Sequence, residues 1–175
     1  MSITLRAVVP DDAEAITAFF LAVDNETKFL LFEPGERTRG PDGWRTRIEE
    51  IRSEDHNEIF VAVDDTTVDA GPRDLAGVLF VLGEVRRRLR HSISPMVAVR
   101  QAYAGQGIAT RLFEAMEEWA RAHEIHRIYL HVQADNHRAV ALYHRLGYHV
   151  EGFHRHAVRL DGEWVDDYTM AKLLE

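Results

Sequence analysis

The chain has 175 residues, no cysteine and a formal net charge of −8. The missing thiols exclude disulfides, thiolate metal ligands and a covalent cysteine intermediate, and the acidic balance argues against a general nucleic-acid binder. No apolar run approaches the roughly 20 residues that span a bilayer and the N-terminus lacks a signal-peptide layout, so we expect one cytoplasmic domain over residues 1–175, with no membrane partner.

The first half of the chain alternates apolar strand patterns with two helical segments. Residues 3–8 predict a strand, and Pro10 begins a helix with apolar residues at helical spacing. A loose segment over 25–42 precedes a shorter helix that carries Trp44. Apolar runs at 59–63, 75–85 and 91–99 predict strands. The intervening turns are placed at Gly71 and Pro72 and at 86–90.

The second half contains the clearest helix, over residues 105–123. Its apolar stripe predicts one buried face, and Glu117 is expected on the water-facing side. A strand follows at 127–132, then a helix at 136–146 that Gly147 ends. Strands at 148–160 and 163–173, joined at Asp161-Gly162, predict a closing hairpin. The order β-α-α-β-β-β-α-β-α-β-β predicts an α/β fold with a mixed sheet and helices on both faces.

The junction between the strand at 91–99 and the long helix contains two glycines, Gly105 and Gly107. Glycine lets the backbone approach a ligand and turn its amides outward, and a helix start adds free N–H groups and positive dipole charge. Together these features favour an anion-binding loop. A Rossmann dinucleotide site is a poor match, because Thr110 stands where its third glycine is expected and Arg127 stands where its acidic residue is expected. A Walker P-loop is also a poor match, because its Lys-Ser/Thr pair is missing.

Two segments resemble motifs of the GNAT superfamily of N-acetyltransferases. Residues 104–109, Ala-Gly-Gln-Gly-Ile-Ala, resemble its acetyl-CoA motif Arg/Gln-x-x-Gly-x-Gly/Ala. The sequence departs from the motif at its first position, where Ala104 replaces the usual Arg or Gln. Residues 136–148 are similar to its Asn-x-x-Ala-x-x-Leu-Tyr-x-x-x-Gly-Phe signature. The motifs and the closing hairpin cover about the last 85 residues, and the resemblance implies a GNAT-like, mostly antiparallel mixed sheet.

The resemblance implies a set of site residues for acetyl-CoA. Val97 and Val99 would offer backbone groups to the pantetheine arm. Asn136 would bond the pantetheine, although an asparagine there also suits a helix cap. Tyr143 would protonate the departing thiolate, although a tyrosine among leucines is also typical of a core. The amides that would hold the pyrophosphate belong to Gly105, Gln106, Gly107, Ile108, Ala109 and Thr110.

The base that deprotonates the amine stays open at the level of sequence. Glu26, Glu33 and Glu36 lie where the resemblance places the acceptor wall, and they equally suit a solvated loop. His91, with Glu84 behind it, is a second candidate for contact with the acceptor. No histidine spacing matches a closed zinc site, although His154 and His156 are expected on one face of a strand, so no metal is expected.

The resemblance therefore implies an acyltransferase that moves an acetyl group from acetyl-CoA to a primary amine, carried by a small molecule, a polyamine or a protein N-terminus, in a ternary complex. A catalytically idle acyl-CoA-binding module is the alternative, because Ala104 removes a side-chain donor. Polyamine, ribosomal-protein and unassigned-substrate acetyltransferases are the members it resembles. A homodimer is also an expectation from the family.

Overall fold

The computed structural model of the protein describes residues 2–67 and 74–175. The strands are β1 Ile3–Ala7, β2 Glu58–Asp64, β3 Leu75–Gly83, β4 Ser92–Val99, β5 Arg127–Gln133, β6 His149–Leu160 and β7 Glu163–Leu173. The helices are α1 Ala13–Glu26, α2 Pro41–Arg52, α3 Ile108–Ala122 and α4 His137–Arg145. The predicted order of elements is confirmed, and the turn expected at Gly71 and Pro72 lies outside the described residues.

The seven strands form one sheet in the order β1-β2-β3-β4-β5-β7-β6. Within the described residues, neighbouring strands pair antiparallel except β4 and β5, which run parallel. The sheet is therefore mixed and mostly antiparallel, as expected. One face carries α1 and α2 over a core that includes Phe20 and Trp44, and the other carries α3 over a core that includes Leu112 and Phe113.

The pairing of β4 with β5 ends almost as soon as it begins. Ser92 pairs with Arg127 and Ile93 with Ile128, and no further pair follows. The next residue of β4 whose backbone faces β5 is Pro95, which has no N–H to donate. The two strands separate from this point and leave a gap in the middle of the sheet.

The direction of the β4 backbone groups follows from one hydrogen bond to β3. The Arg100 N–H donates to the Ala76 carbonyl at 3.0 Å, in register with the β3–β4 ladder. In an antiparallel pair the residues alternate between facing the partner and facing away. Met96 and Ala98 therefore bond to β3, whereas the N–H and C=O groups of Val97 and Val99 point into the gap.

One surface expectation for α3 is wrong. Glu117 is 8 % exposed, and both of its carboxylate oxygens accept from Lys172 Nζ on β7, at 2.6 and 2.8 Å. The helical pattern predicts a water-facing side but cannot show that the end of β7 covers part of it. The ion pair joins α3 to the C-terminal strand.

His154 and His156 do not share a face as expected. A register shift lies between His154 and Val158, and His156 has a positive φ of 55°. His154 bonds Thr169, while the His156 ring stacks on Trp164, and these two β7 residues point to opposite faces of the sheet. The strand alternation on which the expectation rested is broken by this bulge.

Replacing Glu117 by Gln should lower the free energy of unfolding by about 2–3 kcal/mol, because Lys172 would keep its charge without a partner. The loss is smaller than the roughly 3–5 kcal/mol of a fully buried pair, since the Lys172 side chain is 22 % exposed. Urea denaturation measures the loss. Glu114→Gln, at an exposed position of the same helix, should change stability little. A double variant Glu117→Leu/Lys172→Met should recover most of the stability, and equal losses in single and double variants would contradict a coupled pair.

Candidate active site

A cleft of about 790 Å³ opens where β4 and β5 separate. Its walls come from the end of α1 and the following loop, β4, the glycine loop, the start of α3, β5, α4 and the closing hairpin. The expected residues that line it are Val97, Val99, Gly105, Gly107, Ile108, Ala109, Thr110, Asn136 and Tyr143. The gap in the sheet thus brings the two sequence motifs to one site.

The glycine loop has the conformation that its residue types suggest. Gly105 and Gly107 have φ of +80° and +75°, which L side chains rarely adopt, and a Cβ at either would meet nothing within 4 Å. Gly107 is the N-cap of α3, and no side chain of the described residues caps the helix. The N–H groups of the first turn, at Ile108, Ala109 and Thr110, are therefore available to an anion at the cleft wall.

The side chain of Gln106 is exposed and does not line the cleft, so only its backbone belongs to the loop. Two arginines that sequence reasoning did not assign, Arg138 and Arg145, reach the cleft from α4. Both side chains are exposed at the rim of the cleft. Their charge suits a phosphorylated ligand and adds to the N-terminus of α3.

Asn136 caps α4, because its Oδ1 accepts from the Ala139 N–H at 3.2 Å. It also lines the cleft, so both interpretations of this residue remain compatible with the structure. The side-chain amide group is the part left for a ligand. A single residue thereby fixes the start of α4 and borders the cleft.

Tyr143 lies in the cleft wall with 8 % of its surface exposed, packed against Phe113 with ring centroids 5.5 Å apart. Burial raises the pKa of Tyr143 to about 12. The phenol therefore holds its proton throughout the physiological pH range. No hydrogen bond joins its hydroxyl to another of the described residues, which leaves the proton free for a ligand in the cleft.

The acidic residues expected at the acceptor wall are placed outside the cleft lining. Glu26 bridges α1 to the end of β4, since its two oxygens accept from Arg100 Nε and the Gln101 N–H at 2.7 Å each. The carboxylate of Glu36 accepts from the backbone N–H of Glu33, which is itself exposed. Apart from Thr27, the residues that the loop after α1 brings to the cleft are apolar: Phe29, Leu30 and Leu31.

His91 lies at the closed end of the β4–β5 pair. Its carbonyl accepts from the His126 and Arg127 N–H groups at 2.9 Å each, and its exposed side chain does not line the cleft. Glu84 pairs with Arg86 at 2.7 Å in the turn after β3. The structure therefore keeps this second pair of candidates away from the site.

A polar group that sequence reasoning missed lines the opposite side of the cleft, on β5 and β7. It consists of His131, Gln133 and Asp167. These residues come together through the register of β5 with β7, which the sequence does not reveal. The described residues contain no group of three or more His, Cys, Asp or Glu side chains that could hold a metal ion.

The chain is similar to proteins of one family. The model of the acetyltransferase (GNAT) family matches residues 23–148, which is well over half of the chain. L-amino acid N-acetyltransferase AaaT of Escherichia coli is 31 % identical over 104 residues, 57 % of this chain and 62 % of that protein. The chain spans between 45 % and 62 % of the length of the curated relatives it matches.

Two solved structures share the fold over nearly the whole chain. A GNAT-family acetyltransferase from Streptococcus pneumoniae superposes with a TM-score of 0.90 at 26 % identity, covering 99 % of this chain and all of that one. YncA of Salmonella typhimurium, a putative acetyltransferase solved with its cofactor acetyl-CoA, gives 0.82 at 19 % identity and covers 100 % of this chain and 95 % of its own. Among the described residues no helix is long and apolar enough to cross a membrane.

Gly107→Ala should weaken acetyl-CoA binding on the order of tenfold. An L residue at positive φ costs about 1–2 kcal/mol, and the loop relieves this strain by moving the amides that bind the anion. Titration calorimetry measures the affinity. Gly162→Ala is the matched control, since Gly162 has a φ of +87°, equally open space and a place in the hairpin turn. It should lose similar stability yet bind acetyl-CoA normally; unchanged binding in Gly107→Ala would contradict the anion-loop interpretation.

Proposed function

The chain belongs to the acetyltransferase (GNAT) family, and from this premise we propose that it transfers the acetyl group of acetyl-CoA to a primary amine. The amine attacks the thioester directly within a ternary complex. The observation that carries the proposal is the gap between β4 and β5, into which the glycine loop, the free backbone of β4 and Tyr143 all face. The acetyl-CoA seen in YncA and the amino-acid acceptor named for AaaT support the donor and the amine.

The cofactor's contacts follow from groups left unpaired around the gap. The N–H groups that open α3, with those of the loop over 105–107, receive the pyrophosphate, and Arg138 and Arg145 supply positive charge at the rim. The outward-facing backbone of Val97 and Val99 pairs with the amides of the pantetheine arm. The pantetheine arm thus pairs with β4 along the stretch where β5 does not.

The chemistry needs two further groups at the thioester. When the amine adds to the carbonyl carbon, negative charge develops on the carbonyl oxygen, and the Val97 N–H that points into the gap stabilises it. The carbon–sulfur bond then breaks and the thiolate takes the proton of Tyr143. Because the pKa of Tyr143 is about 12, this phenol arrives protonated and is a proton donor rather than a base.

The acceptor enters from the face of the sheet that carries α1. Phe29, Leu30 and Leu31 from the loop after α1 give this entrance an apolar wall. A cytoplasmic location, expected from the sequence, and a homodimer, expected from the family resemblance, remain predictions. The idle acyl-CoA-binding alternative requires acetyl-CoA binding without turnover.

Tyr143→Phe should lower kcat on the order of 100-fold while leaving acetyl-CoA affinity within about twofold, because no other described residue depends on the hydroxyl for a hydrogen bond and the ring contacts persist. Thiol release from acetyl-CoA, followed with a thiol-reactive dye, has no background in a protein without cysteine. A panel of polyamines, amino acids, aminoglycosides and N-terminal peptides serves as acceptors.

Tyr168→Phe, on β7, is a matched control that should keep its activity. Equal rates for Tyr143→Phe and the unchanged protein would remove Tyr143 from the mechanism. Binding of acetyl-CoA without release with any amine would support the idle module. In the active enzyme the rate should not fall with rising pH until about pH 11, because deprotonation of Tyr143 begins only near its pKa of about 12.

A further inference from the structure

The polar group on β5 and β7 faces the acceptor side of the gap. Alternate β5 residues Ile128, Leu130 and Val132 pack into the core beneath α3. His131 and Gln133 therefore project from the opposite face, the face of α1 and α2. β7 runs antiparallel to β5 and places Thr169 opposite His131 and Asp167 opposite Gln133.

Gln133 and Asp167 are close neighbours across the two strands. The Ala134 N–H donates to the Asp166 carbonyl at 2.8 Å, so the next pair along, Gln133 with Asp167, is a non-hydrogen-bonded pair. In such pairs the side chains lie closest, with Cβ atoms about 4.5–5.5 Å apart. The two side chains can therefore contact one small group together.

Both side chains present a buried acceptor without a donor. Gln133 is only 6 % exposed, and its Oε1 is inaccessible and has no hydrogen-bond partner among the described residues. Asp167 Oδ1 is likewise buried and unpartnered there. Leaving such atoms unpaired costs about 1–3 kcal/mol each, so the pair favours a ligand that donates at least two hydrogen bonds. A primary ammonium has three donors and a positive charge.

The charges around Asp167 suit a proton acceptor. Burial raises the pKa of Asp167, and Asp135 and Asp166 raise it further, while His131 and His154 lower it. The two histidines are tied together through Thr169, whose Oγ1 lies 2.6 Å from His154 Nε2 and 3.3 Å from His131 Nδ1. A carboxylate with a raised pKa binds a proton more readily than an exposed one, as a general base requires.

We infer that Asp167 and Gln133 receive the ammonium group of the acceptor and that Asp167 removes its proton. This inference rests on the proposed function. The Asp167 carboxylate takes one proton from the ammonium and the freed nitrogen lone pair forms the bond to the acetyl carbon. The carbon–sulfur bond breaks with its electron pair on sulfur, the thiolate takes the Tyr143 proton, and the proton still carried by the new amide nitrogen restores the phenol through the cleft's solvent.

The two proton-transfer groups lie on opposite sides of the gap. Tyr143 belongs to the core beneath α3, whereas Asp167 faces the side of α1 and α2. A thioester held between β4 and β5 is then approached by the amine from one face and loses its thiolate toward the other. Phe29, Leu30 and Met96 line the same cleft, and Leu30 and Met96 pack on the core beneath α1 and α2, on the face of Asp167. The acceptor is therefore a primary amine with an apolar group near its nitrogen.

The test compares Asp167→Asn with the unchanged protein on two nucleophiles. L-methioninamide is a cationic primary amine with an apolar side chain, and hydroxylamine is uncharged at neutral pH and needs no base. Asp167→Asn should lower kcat/KM for L-methioninamide by about 100-fold or more, and lower the rate with hydroxylamine less than tenfold. Ionisation of Asp167 should make kcat/KM of the unchanged protein rise with pH, and this rise should disappear in the variant.

Gln133→Met keeps the shape but removes an acceptor, so it should raise KM for L-methioninamide several-fold with little change in kcat. Glu163→Gln removes the same charge from an exposed position of β7 and should change neither. Equal losses with both nucleophiles, or an unaltered rate for Asp167→Asn, would overturn the inference, as would an enzyme that acetylates hydroxylamine but not L-methioninamide. Titration calorimetry with acetyl-CoA distinguishes failure of this inference from failure of the proposed function. If acetyl-CoA does not bind, the proposed function itself fails.

Discussion

The separation of β4 from β5 is the constraint on which the rest of the structure depends. A strand in the middle of a sheet normally satisfies its backbone groups on both sides, but β4 bonds to β3 along its length and to β5 only at Ser92 and Ile93. An unpaired buried backbone group costs about 1–3 kcal/mol, so the free groups of Val97 and Val99 demand water or a ligand. Pro95 makes the separation inherent in the sequence, because it cannot donate toward β5.

The gap also divides the chemistry between the two faces of the sheet. On one face, α3 and α4 supply an uncapped helix start, two arginines and a protonated phenol, all of which suit the phosphates and thiolate of a cofactor. On the other face, the loop after α1 contributes Phe29, Leu30 and Leu31, and β5 and β7 contribute the buried acceptors of Gln133 and Asp167. The anionic acetyl donor and the cationic amine thus bind on opposite faces of the sheet and meet between β4 and β5.

The parts of this arrangement that depend on local sequence were predictable. Helix periodicity, the Asp161-Gly162 turn and the glycines at positive φ each reflect the backbone preferences of a few adjacent residues. Lys172 and Glu117 are 55 residues apart, and their pairing follows from how the last strand crosses α3. No local pattern contains that information, so Glu117 was expected in water.

The acceptor wall was missed for the same reason. Asp167 and Gln133 become neighbours only through the register of β7 on β5, which a one-residue slip would destroy. The sequence suggested acids at the end of α1 and in the loop after it instead, and Glu26, the last residue of α1, pairs with Arg100. Residues that bond a ligand through side chains from distant strands are visible only once the sheet is assembled.

The most direct test of the account is amide hydrogen exchange of β4 with and without acetyl-CoA. In the free protein the N–H groups of Val97 and Val99 face the gap and should exchange fast, whereas those of Met96 and Ala98 bond to β3 and should be protected. Acetyl-CoA should slow Val97 and Val99 selectively. Unchanged exchange at both residues under saturating acetyl-CoA would contradict the claim that the cofactor occupies the gap between the strands.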